Sequence, residues 1–255
     1  MDNNLIVIPA RYGSQRFPGK VLAPLAGKPV VQWCWEAAVR SGLGDVVIAT
    51  EHEKVVKACR AFGARTMLTS PRCQSGTDRV HEASRGTRAK FVINIQGDEP
   101  FMKPAVLKKA FLKLKGSPDC HIGTACTRIT DKTDVANPNC VKVAMNGAGR
   151  AIYFSRCPVP FHHQLSDLKH LPYYRHYGFY IYRREALERF VSLKPSPLER
   201  LERLEQLRAL ENGMRIAVAE VPALGPAIDV PADLKAAGRY LTRARRQGGR
   251  RAGLA

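Results

Sequence analysis

The sequence predicts an α/β fold: a doubly wound, mostly parallel mixed sheet with a smaller antiparallel sheet in its second half. Three observations carry that expectation. Short β-branched runs alternate with helix-length segments through the first part of the chain, the pattern of parallel strands covered on both faces. The first and fourth of these runs end at Pro9 and at Gly97-Asp98, breakers that open polar loops where an α/β sheet presents its ligand site. Beyond residue 116 the rhythm changes, and Asn146-Gly147-Ala148-Gly149 turns one strand back into the next.

In chain order, Leu5-Ile6-Val7-Ile8 is β-branched and stops at Pro9, so it reads as a buried strand. Pro29 to Ser41 reads as a helix with proline near its start and Gly42 to end it. Val46–Thr50 is a second strand, Glu53 to Phe62 a helix closed by Gly63, and Thr66–Leu68 a short third strand. Phe91 to Gln96 is the next central strand, followed by a helix from Pro104 to Lys115. His121 to Ile129, Val141 to Met145, Ala151 to Ser155 and Tyr177 to Tyr182 read as strands, and Glu185 to Val191 as a short helix. Leu198, Leu201, Leu204, Leu207 and Leu210 recur every third residue, which predicts one helix with a broad apolar face. Arg215 to Val221 is a late strand. A last helix is expected from about Ala232 towards Arg243, before a tail over 241–255 without regular structure.

The 255 residues suit one large domain, here 1–240, with its first part near 1–115 and its second near 116–240. Lys+Arg 41 against Asp+Glu 22 leaves a net charge of +19, which favours anionic partners. The last seventeen residues hold Arg239, Arg243, Arg245, Arg246, Arg250 and Arg251. No DNA- or RNA-binding motif accompanies the charge, so nucleic acid is not the expected partner. Seven cysteines form no C-x-x-C pair and leave one unpaired, the usage of a reducing compartment. No stretch approaches the ~18 apolar residues that span a bilayer, and the first residues carry no secretory pattern. No membrane insertion and a cytoplasmic location are expected.

The loop that leaves the first strand carries Arg11, Ser14, Arg16 and Lys20 with Gly13 and Gly19. Glycine lets a backbone approach a ligand closely, and guanidinium and ammonium groups supply fixed charge, so the loop can cradle phosphates. It matches neither G-x-G-x-x-G nor the P-loop, and the same residues serve equally as a solvated basic turn. Asp98, at the end of a central strand, can hold Mg²⁺ against phosphates or simply build a D-E-P turn. Asp229 shares the ambiguity, and the two become informative only if they meet over one metal. Gln74-Ser75-Gly76-Thr77-Asp78-Arg79 enters a helix and can read a pyrimidine edge, while capping by Ser75 or Thr77 accounts for it fully. Arg156, His176 and Tyr180, with Glu205 and Gln206, can form a second polar pocket in which the arginine grips a carboxylate. His162-His163 lacks metal-ligand spacing and reads as a solvated loop.

With these segments together, the chain resembles the 3-deoxy-manno-octulosonate (Kdo) cytidylyltransferase family. The matching stretches are Ile8 to Lys20, Gly27-Lys28-Pro29, Ile48 to Glu53, Gln74 to Arg79, Asn94 to Pro100 and Asn137 to Val143. They continue with Tyr153 to Arg156, Arg175 to Gly178, Pro195 to Glu199 and Leu204 to Arg208, in order over about residues 5–240. The resemblance implies a nucleotide-diphospho-sugar transferase-like fold and a reaction of CTP with an acidic eight-carbon keto-sugar, giving a CMP-sugar and pyrophosphate. It further implies that Arg11, Ser14 and Lys20 hold the triphosphate and that Gln74, Ser75, Gly76 and Thr77 lie near the cytidine. Asp98 and Asp229 would hold Mg²⁺, and Arg156, His176, Tyr180, Glu205 and Gln206 would face the sugar. Arg11, Lys20, Asp98 and Asp229 would carry catalysis. A cytoplasmic homodimer feeding lipopolysaccharide assembly is implied, its contact in the middle antiparallel segment.

This chain departs from the family pattern at four places, one being the bulkier Tyr177 and Phe179-Tyr180-Ile181 of a late strand. Glu51 stands where aspartate is common, Gly225 to Leu234 keeps Asp229 among altered neighbours, and His163 stands where an arginine is usual. The last change admits other acidic sugars: a modified octulosonate such as 8-amino-Kdo, or a sialic-acid-like nonulosonate. A non-catalytic protein that binds nucleic acid or a membrane surface is the reading from a different class.

Overall fold

Strand β1 (Asn4–Pro9) is the innermost element of the chain's first half, with Ile6, Val7 and Ile8 fully buried. Each such side chain stabilises by about 1.5–3 kcal/mol when taken from water. The computed structural model describes residues 3–14, 16–162 and 173–252, with backbone alone over 245–252. The chain forms two compact units. The amino-terminal unit gathers Leu5–Arg85, Ile95–Pro104 and the chain from Leu224 onward, and the central unit gathers Gly86–Asn94 and Ala105–Ala223.

In the amino-terminal unit, β2 (Pro24–Leu25) and β3 (Lys28–Pro29) make a separate two-stranded antiparallel sheet. Helix α1 (Val30–Ser41) starts after Pro29 and ends at Gly42, whose φ of 61° is the left-handed conformation glycine adopts without strain. Strand β4 (Asp45–Thr50) then pairs parallel with β1, from Leu5 opposite Asp45 to Pro9 opposite Ala49. Helix α2 (Glu53–Ala61) leads to β5 (Thr66–Leu68), parallel to β4. Helix α3 (Gly76–Ser84) closes this βαβαβ run. The parallel order and the crossovers are those the sequence predicts.

The central unit begins with β6 (Phe91–Asn94) and α4 (Pro104–Lys115), then β7 (Ile122–Arg128) and the short α5 (Lys132–Ala136). A Cβ on Gly123 of β7 would lie 2.9 Å from Leu114 Cβ, so only glycine allows α4 this close. Strands β8 (Lys142–Met145) and β9 (Ala151–Ser155) form the expected hairpin. Strand β10 (Tyr174–Arg183) runs antiparallel to both β6 and β7, and joins β8 where Arg175 faces Lys142. The antiparallel hairpin is thus continuous with the central unit's sheet. Helices α6 (Arg184–Ser192), α7 (Pro197–Glu202) and α8 (Gln206–Glu211) precede β11 (Ile216–Glu220), which is parallel to β7.

Two expectations are corrected. The leucine series is not one helix: Arg203 takes φ 53° and separates α7 from α8. The break resets the helical phase, leaving Leu201 79% exposed while Leu204 and Leu207 are buried. Three-residue spacing drifts around a continuous helix, and the reversal at Arg203 removes that drift. At the other end, α9 (Pro231–Ala252) carries helical backbone through most of the segment expected to lack regular structure. Its first turns belong to the amino-terminal unit, where Ala237, Leu234, Tyr240 and Leu241 pack with Phe101, Leu25, Val30 and Ile228.

Candidate active site

Asp98 and Asp229, 131 positions apart in sequence, meet on one cation. Lys20 Nζ donates to Asp98 Oδ2 and, at 3.2 Å, to Asp229 Oδ1, which also accepts from Arg16 Nη2 at 2.9 Å. Backbone geometry brings them there. A Cβ on Gly97 would sit 3.0 Å from the Pro9 carbonyl oxygen, so glycine lets the 97–98 turn lie against the end of β1. The Ile228 N–H then donates to the Asp98 carbonyl at 3.0 Å and fixes the 228–229 segment beside that turn. Gly225 is equally constrained, because a Cβ there would lie 2.5 Å from Phe101 Cγ. Asp233 Oδ2 accepts from Asp229 N–H at 2.8 Å and Val230 N–H at 2.9 Å, capping the start of α9.

Burial opposes the Lys20 charge, yet the Asp98 and Asp229 carboxylates outweigh it and hold its pKa above the ordinary lysine value. Lys20 is therefore cationic throughout the neutral range. Two carboxylate oxygens converging on one ammonium are a donor set that fits Mg²⁺, which takes one or two carboxylates and completes its octahedron with water and substrate phosphate.

The loop from Arg11 to Lys20 is folded around Tyr12, whose carbonyl accepts from Ser14 N–H at 3.0 Å and Gly19 N–H at 2.9 Å. Arg11 is exposed, with Nη1 3.5 Å from the Gln74 carbonyl. Ser75 is the N-cap of α3: its Oγ accepts from Asp78 N–H at 3.0 Å, while Asp78 Oδ2 accepts from Ser75 N–H at 2.9 Å. Gly76 packs against Pro9 and Gln96, Thr77 is buried and Gln74 is exposed. Arg11, Ser14, Lys20, Gln74, Ser75, Gly76, Thr77, Asp98 and Asp229 thus all lie in the amino-terminal unit.

The five other candidate residues lie in the central unit. His176 is buried beside Tyr180, ring centroids 5.6 Å apart, and packs edge-on against Phe154. Burial lowers its pKa to about 3, so the imidazole is neutral. Thr124 Oγ1 lies 2.9 Å from His176 Nε2 and 2.8 Å from the Phe179 carbonyl. The Tyr177 carbonyl lies 3.1 Å from the same hydroxyl. The register of β10 against β7 slips between Tyr177 and Ile181, and this irregularity carries Tyr180.

Arg156 is more committed than a free carboxylate grip. Its Nε donates to Glu202 O at 2.8 Å, Nη1 to Pro138 O at 2.9 Å and Nη2 approaches Arg203 O at 3.5 Å. By donor count, one N–H on each Nη remains. These bonds tie Arg156 to the α7–α8 break, immediately before half-buried Glu205 and buried Gln206. His162 is exposed, and His163 lies outside the described residues.

Sequence reasoning missed several participants. Lys142 is fully buried and donates to Asn137 O and Arg156 O, and burial lowers its pKa. The strand pattern shows only that it shares a face with Ala144. Glu51 and Arg79, read from sequence as a departure from the family pattern and as part of a polar loop, form an ion pair at 2.9 Å with Arg79 buried. All seven cysteines are free thiols. Burial raises Cys59 and Cys126 to about 12, which makes both inert as nucleophiles.

Known proteins resemble this chain over most of its length. A cytidylyltransferase family model matches residues 5–216. The chain is 48% identical to a 3-deoxy-manno-octulosonate cytidylyltransferase of Elusimicrobium minutum, over 94% of this chain and 99% of the relative. It is 47% identical to that of Solibacter usitatus, over 91% and 92% of the two chains. A solved CMP:2-keto-3-deoxy-manno-octonic acid synthetase in complex with CTP superimposes with a TM-score of 0.88 at 37% identity, over 95% of this chain and 99% of that one. An α/β chain with two distant aspartates gathered on Lys20, matched to these relatives over nearly its whole length, belongs to the 3-deoxy-manno-octulosonate cytidylyltransferase family.

Proposed function

We propose that this protein transfers the cytidylyl group of CTP to Kdo, releasing pyrophosphate and supplying CMP-Kdo for lipopolysaccharide assembly in the cytoplasm. The observation that carries the reading is the meeting of Asp98 and Asp229 on Lys20 beside the end of β1. In this reading Arg11, Ser14 and Lys20 hold the triphosphate, and the start of α3 from Gln74 to Thr77 receives the cytidine. Arg156, His176, Tyr180, Glu205 and Gln206 orient the sugar.

The anomeric hydroxyl oxygen attacks the α-phosphorus, the bond to the β-phosphate oxygen breaks, and the hydroxyl proton leaves to solvent. Negative charge grows on the departing pyrophosphate, where Arg11 and Lys20 stabilise it electrostatically. Asp98 and Asp229 would hold Mg²⁺, which when bound neutralises phosphate charge and acidifies the attacking hydroxyl. Neutral His176 offers a ring nitrogen to a sugar hydroxyl and no charge. Restraining both substrates in line contributes much of the rate.

The hairpin β8–β9 is the contact we propose for a homodimer, and Ile152 on β9 is 60% exposed there. Among the described residues no helix is long and apolar enough to cross a membrane. The test of substrate is pyrophosphate release from CTP and Mg²⁺ with a panel of acidic sugars: Kdo, 8-amino-Kdo and N-acetylneuraminate. Turnover with Kdo is expected to exceed that with either competitor by at least about tenfold in kcat/KM. Turnover confined to 8-amino-Kdo would move the assignment to the modified octulosonate, and turnover confined to the nonulosonate would overturn it.

A further inference from the structure

We propose that Glu51 and Arg79 form a brace that holds loop 11–20 in its triphosphate-binding shape, making both positioning residues for the nucleotide. The proposal rests on the reading of that loop as the triphosphate grip. Glu51 lies just beyond the end of β4 and spends its two oxygens on two elements. Its Oε1 accepts from the Tyr12 N–H at 2.9 Å, and its Oε2 pairs with Arg79 Nη2 at 2.9 Å. Arg79 sits in the first turns of α3, is 1% exposed, and donates through Nη1 to Thr69 Oγ1. One carboxylate therefore ties the root of the phosphate loop to the helix start assigned to the cytidine.

Tyr12 is the residue through which this anchor sets the loop. Its carbonyl closes the turn by accepting from Ser14 and Gly19, and its ring lies 4.1 Å from His52 with Lys54 Nζ 5.7 Å above. His52 is itself fixed, its Nδ1 accepting from Lys54 N–H at 3.1 Å as the cap of α2. Gly19 has φ 70°, and a Cβ there would approach the Tyr12 ring to 3.3 Å. Ser14 and Lys20, two of the proposed phosphate ligands, thus follow directly from where Tyr12 is held. A charge-assisted bond from a backbone N–H to a carboxylate is stronger than its neutral counterpart, and removing the charge strands a buried guanidinium.

The test is titration calorimetry of CTP and CMP, without sugar, on the wild type, Glu51→Gln and Arg79→Met, with melting curves for each. Glu51→Gln keeps volume and one acceptor oxygen, and is expected to weaken CTP binding by about 10- to 100-fold. CMP binding should change less than threefold, because the brace acts on the β- and γ-phosphate grip. Arg79→Met, which keeps the Glu51–Tyr12 bond, should show a smaller CTP loss in the same direction. Equal weakening of CTP and CMP, or lowered melting temperatures with CTP affinity within twofold of wild type, would overturn the brace. A wild type that binds CTP but turns over no Kdo would sink the sugar assignment and leave the brace standing. A wild type that binds no CTP would sink both.

Discussion

Asp98→Asn is expected to lower kcat by about a thousandfold while leaving the fold in place. The substitution keeps size and shape but removes the charge that meets Lys20 and would meet Mg²⁺. Its structural consequence is small because the bond that organises the neighbourhood uses the Asp98 carbonyl, which accepts from Ile228 N–H whatever the side chain. Lys20 keeps its second carboxylate at Asp229, 3.2 Å away. A partly exposed ion pair of this kind contributes about 1 kcal/mol at most, so the melting temperature should fall by only a few degrees. Steady-state turnover at saturating CTP, Kdo and Mg²⁺ measures the first effect, and a thermal melt the second. Turnover within tenfold of wild type would remove Asp98 from the proposed metal site.

Lys20→Met is expected to cost a further two to three orders of magnitude, about 10²–10³ in kcat/KM for CTP, for a different reason. In the proposed mechanism the lysine supplies fixed positive charge at the pyrophosphate rather than a metal ligand. Its raised pKa means that deprotonation contributes nothing across the working pH range. Stability from its two ion pairs is present below the unfolded lysine pKa of 10.5 and is lost only as pH rises through the still higher folded value. The variant also frees Asp98 and Asp229 from an ammonium that competes for them. The Mg²⁺ concentration giving half-maximal turnover should therefore fall even as kcat/KM falls. A rise in that concentration would show that Lys20 assists metal binding instead of competing with it.

The elements legible in the sequence were those whose hydrophobic period and breakers agree. Residues 5–9 and 45–50 carry β-branched runs, and the helix Pro104–Lys115 begins with the proline that marks it. The leucine series failed because spacing sees apolar residues and not the backbone: Arg203 is an ordinary charged residue by composition and adopts φ 53° only in its tertiary setting. The carboxy-terminal segment failed for the opposite reason. Its arginines and glycines look unstructured, yet its helix is seeded by the Asp233 cap and by Leu234, Ala237 and Tyr240 in the core.

At the site, the basic loop, Asp98 and Asp229 were visible as residues, but their meeting on Lys20 depends on Gly97, Gly225 and one backbone bond across 130 positions of chain. Arg156 was visible as a charge, and the carbonyls that take three of its donors were not. The pairing of Glu51 with Arg79 was not legible, because each is an ordinary charged residue in its own segment and only the fold brings the two together.

The most direct test is ³¹P nuclear magnetic resonance of the purified protein with CTP, Kdo and Mg²⁺, repeated with each component left out. A CMP-sugar phosphodiester and pyrophosphate should appear in equal amounts in the complete mixture and in none of the incomplete ones. Orthophosphate without a phosphodiester, or no change in the CTP resonances, would contradict the assignment.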